Sequence, residues 1–528
     1  MTRMTTRVLV GLTWALMLSA QGQLPQQPAA GPKHTVTGTV SNALTGEPIR
    51  KALVQLFGQT QMSALTGPDG RFSFEDVPEG PVGFNTQKPG FYNNPNESKL
   101  QTVGSGSNDF ALKLYPDARI TGHVTDANGE PIEGANVQPI LQMIQQGRQQ
   151  WQRRGSTTTD EDGGFEFEDL PRGHYLIYCG GQDIPAMSWN APREVYLPTY
   201  YPEAKDRTSA QVVELQPGQE FSADFHLHRE RGYTVKAQVS GLPGRAGPML
   251  QDSGGQTYRG MPSDRQPGQF TAEGVPSGTW VLAVQAGDQA GHVFQARQEF
   301  TIDHADVTGL QAQAYPQVMI PVVVNLPDNE SAEPPKRVGN GQFMTPSTNV
   351  QVRLIPDKPS EGRNYFATMQ GNPPTLRFMN VPPGKYKLSV RSFGDTCLDS
   401  ATYGGVDLTR DELVVGPEGG AQPIVLNLGS DCAVLKVGVK AEGVNTFIVI
   451  VPASGVEEPI AQMVTGQVTG AIQVKISQGT YQVFAFANIE GLEYANLEAM
   501  RNYSGQSITL EAGQEKDITL EVTERKDH

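Results

Sequence analysis

The sequence predicts an all-β chain, a tandem array of about five small β-sandwich modules. Three observations predict it. A strand-and-turn phrase recurs at near-constant spacing, its strands alternate apolar and polar residues, and 58 Gly with 39 Pro give a turn-rich composition. A chain of 528 residues is also several times the usual domain size, so it buries several cores rather than one.

The chain opens with an export signal over residues 1–22. Arg3 and Arg7 form a basic start, Val8 to Leu18 an apolar stretch too short to span a bilayer, and Ala20-Gln21-Gly22 a small-residue cleavage site. No Cys follows to carry a lipid, and no later apolar run reaches membrane-spanning length. The mature chain is therefore expected to be secreted or periplasmic, without a membrane span. Residues 23–34, with Pro25, Pro28 and Pro32, read as a linker.

The recurring phrase comes next. It runs Phe72-Ser-Phe74-Glu-Asp-Val77-Pro78-Glu-Gly80, then Phe165-Glu-Phe167-Glu-Asp-Leu170-Pro171-Arg-Gly173-His-Tyr175. Looser copies are Phe270 to Trp280, Leu376 to Tyr386 and Ile472 to Tyr481. The anchor glycines 80, 173, 278, 384 and 479 lie 93, 105, 106 and 95 residues apart, the size of one small sandwich. The modules are accordingly placed at 35–115, 116–229, 230–316, 317–430 and 431–528. Residues two apart face one side of a strand, so Phe72 with Phe74 and Phe165 with Phe167 enter a core while Ser73 and Glu166 face water. Pro, or Gln478 in the fifth copy, ends the strand, Pro because it cannot donate to the ladder, and Gly permits the reversal. The aromatics Tyr175, Trp280, Tyr386 and Tyr481 open the following strand as core residues. In the last module, Asn496 to Tyr503 reads as a short helix with Asn496 as its N-cap and Gly505 beyond its end.

The first two modules share more. Val36-Thr-Gly38-Thr-Val40, Gly46-Glu-Pro48-Ile49 and Ala52-Leu-Val54 parallel Ile120-Thr-Gly122-His-Val124, Gly129-Glu-Pro131-Ile132 and Ala135-Asn-Val137. Tight turns, Thr66 to Gly70 and Thr159 to Gly163, precede each Phe-x-Phe strand. This string resembles the carboxypeptidase regulatory-like domain, a relative of collagen-adhesin B-type repeats. The resemblance is specific over residues 35–115 and 118–229. It implies transthyretin-like (prealbumin-type) Greek-key sandwiches and an accessory, non-catalytic role, as in secreted bacterial strings of such modules. The lysine-to-asparagine crosslink of some relatives is not carried over, because Val36 to Val40 contains no Lys.

Chemistry is sparse. A net charge of −15 with scattered acidic residues repels phosphate backbones and excludes a nucleic-acid partner. Hydrolase, zinc-protease and nucleotide-binding motifs do not occur, and Gln251-Asp252-Ser253-Gly254-Gly255 reads as a hairpin turn rather than a nucleophile segment. No cofactor is expected. His226 and His228, with Asp224 and Glu230 on the same strand face, are metal candidates that a solvated face explains as well. Asp160 to Gly163 reads as an acidic turn, since the twelfth position of a calcium loop would be Pro171.

Two irregular segments of the second module are candidate binding sites. Gln142 to Arg154, with Trp151, reads as a long exposed hairpin, and Trp189, Tyr196, Tyr200 and Tyr201 cluster further on. Such rings either stack on sugars or anchor a partner, or they cover the sandwich edge. Of three Cys, Cys397 and Cys432 are expected to pair in an oxidising compartment, leaving Cys179 as a buried thiol. The sequence thus points to a non-catalytic interaction or scaffolding protein, with an unknown extracellular protein or a polysaccharide as partner. Carbohydrate binding through the second module's aromatics is the alternative.

Overall fold

The computed structural model describes residues 32–523, apart from 95–100, 105, 107, 181, 185–192, 245, 253–256, 260, 263–267, 290–291, 328–335, 339–341, 345–349, 358–363, 371–374, 393–394, 417–421, 441–445, 454–456 and 465–471. The signal segment 1–22 and most of the linker lie outside the described residues. The described chain is strand almost throughout, with a single four-residue helix among the described residues, Leu497–Met500. None of its helices is long and apolar enough to cross a membrane.

One strand plan recurs five times. The first strand of each module pairs antiparallel with the strand of the recurring phrase and parallel with a late strand of the same module. Lys33–Asn42 does so with Arg71–Pro78 and Asp109–Pro116, and Ala433–Val439 with Ile472–Ile476 and Glu515–Leu520. The intervening modules repeat the pattern on Ala118–Asp126, Tyr233–Ser240 and Val318–Asn325. A second sheet joins the module's second strand to the strand after the anchor glycine, as Leu53–Phe57 joins Gly80–Gln87. Two facing sheets, closed by a parallel first-to-last pairing, make each module a β-sandwich.

The alternating pattern fills the cores. Val36, Val40, Phe72 and Phe74 are buried in the first, and Ile120, Val124, Phe165 and Phe167 in the second. Separate clusters lie under Trp280, under Phe378 with Tyr386, and under Tyr481. By contact density the chain forms two compact units, 1–117 and 118–528. The first sandwich is one unit and the other four together form the second.

Two local devices explain the recurring phrase. The phrase strand carries a bulge where Asp76, Asp169, Gly274 and Asn380 take left-handed φ of 58°, 58°, 72° and 55°. Each of these four lies four residues before its anchor glycine, and the register of the adjoining ladder shifts there. Asp, Asn and Gly are the residues that tolerate this conformation, which is why nothing β-branched occupies the position. The fifth module has Lys475 there, and its ladder runs without a shift.

The second device is a side-chain latch across the turn. Tyr175, Trp280, Tyr386 and Tyr481 each donate to the carbonyl four residues back, on Pro171, Pro276, Pro382 and Ser477, at 2.7, 3.0, 2.7 and 2.8 Å. Each ring therefore fills the core while its polar atom closes the turn. The first module has Val82 in this place and no such bond. The helix of the fifth module begins where the capping signal falls, the Asn496 side chain accepting from the N–H groups of Glu498 and Ala499, but it ends at Met500, short of the expected Tyr503.

Candidate functional site

The second module's hairpin, Asn136–Gln145 with Arg148–Arg153, is the segment that departs most from the common plan. Its turn, Gln146-Gly147, has φ of 51° and 72°, the two left-handed residues of a tight two-residue reversal. The hairpin is exposed along much of its length, Gln146 included, but Gly147 at its tip is buried against the fifth module. Arg353 donates to the Gln146 amide oxygen at 3.1 Å, and Ala495 N–H donates to the Gly147 carbonyl at 2.9 Å. Hydrogen-bonding groups left by the sharp turn thus find partners in other modules.

Arg353 is the centre of this junction. Its side chain is 7% exposed and pairs with Glu458 of the fifth module, itself 11% exposed. Glu458 also accepts from the Ser389 hydroxyl. Buried charges persist when paired and hydrogen-bonded, and here the partners come from three modules. Gln351, Arg391 and Tyr494 complete the polar lining. Burial holds the Arg148 guanidinium below its ordinary pKa, with Glu458 opposing and Arg353 adding to the effect. Burial likewise raises the Tyr494 phenol. Near the hairpin root, Arg172 pairs with Glu490 at 2.6 Å. The arrangement is chemically a tie of guanidinium, carboxylate and amide.

The sequence-selected aromatics are placed differently from one another. Trp151 is half-buried, packed on the cluster of Ile140, Leu176, Tyr178 and Tyr200 at the hairpin root. Tyr200 is 1% exposed with its ring 4.9 Å from that of Tyr178, and Tyr196 is 7% exposed beneath the Arg229 guanidinium. Tyr201 is half-buried, edge-on to Phe221 and Phe225. Trp189 lies outside the described residues. Tyr196 and Tyr200 therefore present no open ring face for a sugar, because each is spent on packing.

His226 and His228 are both exposed on one strand face, yet their acidic neighbours turn elsewhere. His226 Nδ1 lies 2.8 Å from the Thr125 hydroxyl, Asp224 accepts from the His123 N–H, and Glu230 accepts from the Ser277 hydroxyl. Among the described residues no three His, Cys, Asp or Glu side chains are grouped to hold a metal. Asp160 caps its own turn, accepting from the N–H of Asp162 at 3.0 Å and of Gly164 at 2.7 Å. Cys397 and Cys432 have Cα atoms 5.6 Å apart, inside the usual disulfide range, because Cys397 pairs in register with Gly429. Beside them Ser477 donates to the Leu398 carbonyl at 2.9 Å, so this pair lies where the fourth and fifth modules meet.

A separate groove lies on the first module, lined by Lys51, Asn85, Gln87, Lys88, Phe91 and Asn93. Sequence reading missed it, as it missed Arg353 and Glu458. The groove residues are common polar types brought together only by the pairing of Leu53–Phe57 with Gly80–Gln87.

Residues 35–113 and 119–181, in the first two modules, match the carboxypeptidase regulatory-like domain. The second match ends before the strands Val213–Leu215 and Phe225–Leu227 that complete its sandwich. No curated protein matches the chain. Among solved structures it is similar to the Bacillus anthracis TIE protein, at 13% identity over 53% of this chain and 50% of that one, with a TM-score of 0.17. BcpA, the major pilin subunit of Bacillus cereus, is 11% identical over 53% and 99%, with a TM-score of 0.16. A streptococcal ancillary pilin is 14% identical over 53% and 99%, with a TM-score of 0.19. The chain spans half the length of the TIE protein.

Proposed function

We propose that this is a secreted, non-catalytic scaffolding or adhesion protein whose sandwiches present surfaces to an extracellular partner. The observation that carries the reading is the sharing of Arg353 among Gln146, Glu458 and its own module. Buried charge is costly, and here it is spent on fixing modules against one another rather than on polarising a substrate. Exported, clasped sandwiches form a rigid support. The test is to present the purified mature chain to panels of extracellular proteins and polysaccharides while monitoring turnover. Saturable binding without product supports the reading, and enzymatic cleavage of any bound ligand would overturn it.

A second reading is favoured by the first module's groove. Lys51 and Lys88 flank it in a chain of net charge −15, with the Phe91 ring and the amides of Asn85, Gln87 and Asn93 between them. Ammonium groups for a carboxylate, amides for hydroxyls and a ring for stacking suit an acidic polysaccharide. Glycan-array binding that survives Trp151→Ala and is lost in Lys51→Gln/Lys88→Gln would assign carbohydrate recognition to this groove. Loss on Trp151→Ala alone would return it to the second module.

A further inference from the structure

We propose that the hairpin Asn136–Arg153 is a clasp, an intramolecular strap from the second module that locks the fourth and fifth modules and so holds residues 118–528 as one unit. The hairpin is built to carry its tip away from its own sandwich. Its strands stay paired out to Gln145 and Arg148, and the root is fastened by Trp151 against Ile140, Leu176 and Tyr178. The turn then delivers two acceptors, the Gln146 side-chain oxygen and the Gly147 carbonyl, to a donor on each of two other modules.

The seat is shaped for this tip. A Cβ on Gly147 would lie 2.5 Å from the Tyr494 ring and 2.7 Å from the Ala495 nitrogen, so only glycine brings the backbone close enough for the bond. Gln146 holds a left-handed φ that costs a non-glycine residue energy, and such strain persists where surroundings over-determine it. The lining of the seat is polar, so hydrogen bonds rather than apolar burial hold the tip.

A matched pair of glycine variants tests the clasp on the full mature chain. Gly129 sits in another turn of the same module at φ +83°, with nothing near the place of a Cβ, while Gly147 sits at +72° in the seat. Gly129→Ala and Gly147→Ala therefore impose similar backbone strain, and only the second displaces the tip. Hydrogen exchange should show the Ala495 amide, whose acceptor is the Gly147 carbonyl, exchanging about tenfold faster or more in Gly147→Ala, with a larger radius of gyration by X-ray scattering. Gly129→Ala should match the wild type in both. Equal effects of the two variants, or an Ala495 amide already unprotected in the wild type, would overturn the proposal. Should Gly147→Ala fail to fold, Gln146→Gly decides, because it relieves the strained turn while removing the Arg353 contact. Faster exchange at Ala495 supports the clasp, and unchanged exchange rejects it.

Discussion

The Tyr386 hydroxyl donates to the carbonyl of Pro382, four residues back across the turn, at 2.7 Å, while its ring is 97% buried in the fourth core. The same latch closes three other modules, so it is a part of the module and not an accident of one turn. Tyr386→Phe keeps the ring and deletes the bond. It should lower stability by about 1 kcal/mol, read as an earlier urea midpoint at unchanged slope. No change in midpoint would show that water replaces the hydroxyl at no cost.

Asn380 occupies the bulge at φ 55°. Asn380→Val places a β-branched residue in the left-handed region and should cost about 1–3 kcal/mol, whereas Asn380→Gly should be neutral or stabilising. Thermal unfolding of the two variants side by side checks this. Equal melting temperatures would remove the strain argument for the bulge.

Cys397 and Cys432 should be recovered as one linked peptide from protein purified out of an oxidising compartment. The pairing closes a sequence separation of 35 residues. On the chain-entropy model that closure contributes about 4 kcal/mol, so reduction should lower the stability of the fourth and fifth modules together. Peptide mapping without reductant decides it, and separate free thiols would refute the bond.

Cys179 is fully buried, and burial pushes its thiol from 9.0 up to about 12. In the folded chain it should resist iodoacetamide at pH 8 and react once urea unfolds the module. The raised value has a definite sign. Between about 9 and 12 the folded thiol holds a proton that the unfolded one has lost, so stability is full below about 9 and falls as pH rises through about 12. The buried Tyr481 phenol, raised by burial and by Glu457, acts in the same direction. Cys179→Ala should flatten part of that alkaline decline in a pH series of urea titrations, and an unchanged slope would dismiss the linkage.

What the sequence determined by itself follows from short-range physics. Phe72, Phe74, Phe165 and Phe167 announce their strands because period-two alternation is local, and the anchor glycines announce the repeat because each turn must be made anew. Gly80, Gly173, Gly278 and Gly479 take positive φ of 138°, 153°, 132° and 157°, whereas the fourth anchor, Gly384, makes its turn without a positive φ. Asn496 likewise declares its helix through a cap that involves only the next three residues. The bulge was not read from the sequence, because alternation alone does not reveal it, although Asp76, Asp169, Gly274 and Asn380 share one fixed offset from the anchor glycine. Tertiary structure alone decided the rest. Nothing local to Arg353, Glu458 or Glu490 marks them, since an isolated charge reads as solvated surface until another module removes the water around it. Whether Tyr200 faced a ligand or a neighbour, and whether the Gln146-Gly147 tip faced solvent or a seat, depended on how separate sandwiches pack. That packing is set by long-range complementarity of shape and charge, which has no period along the chain for a reader of the sequence to find.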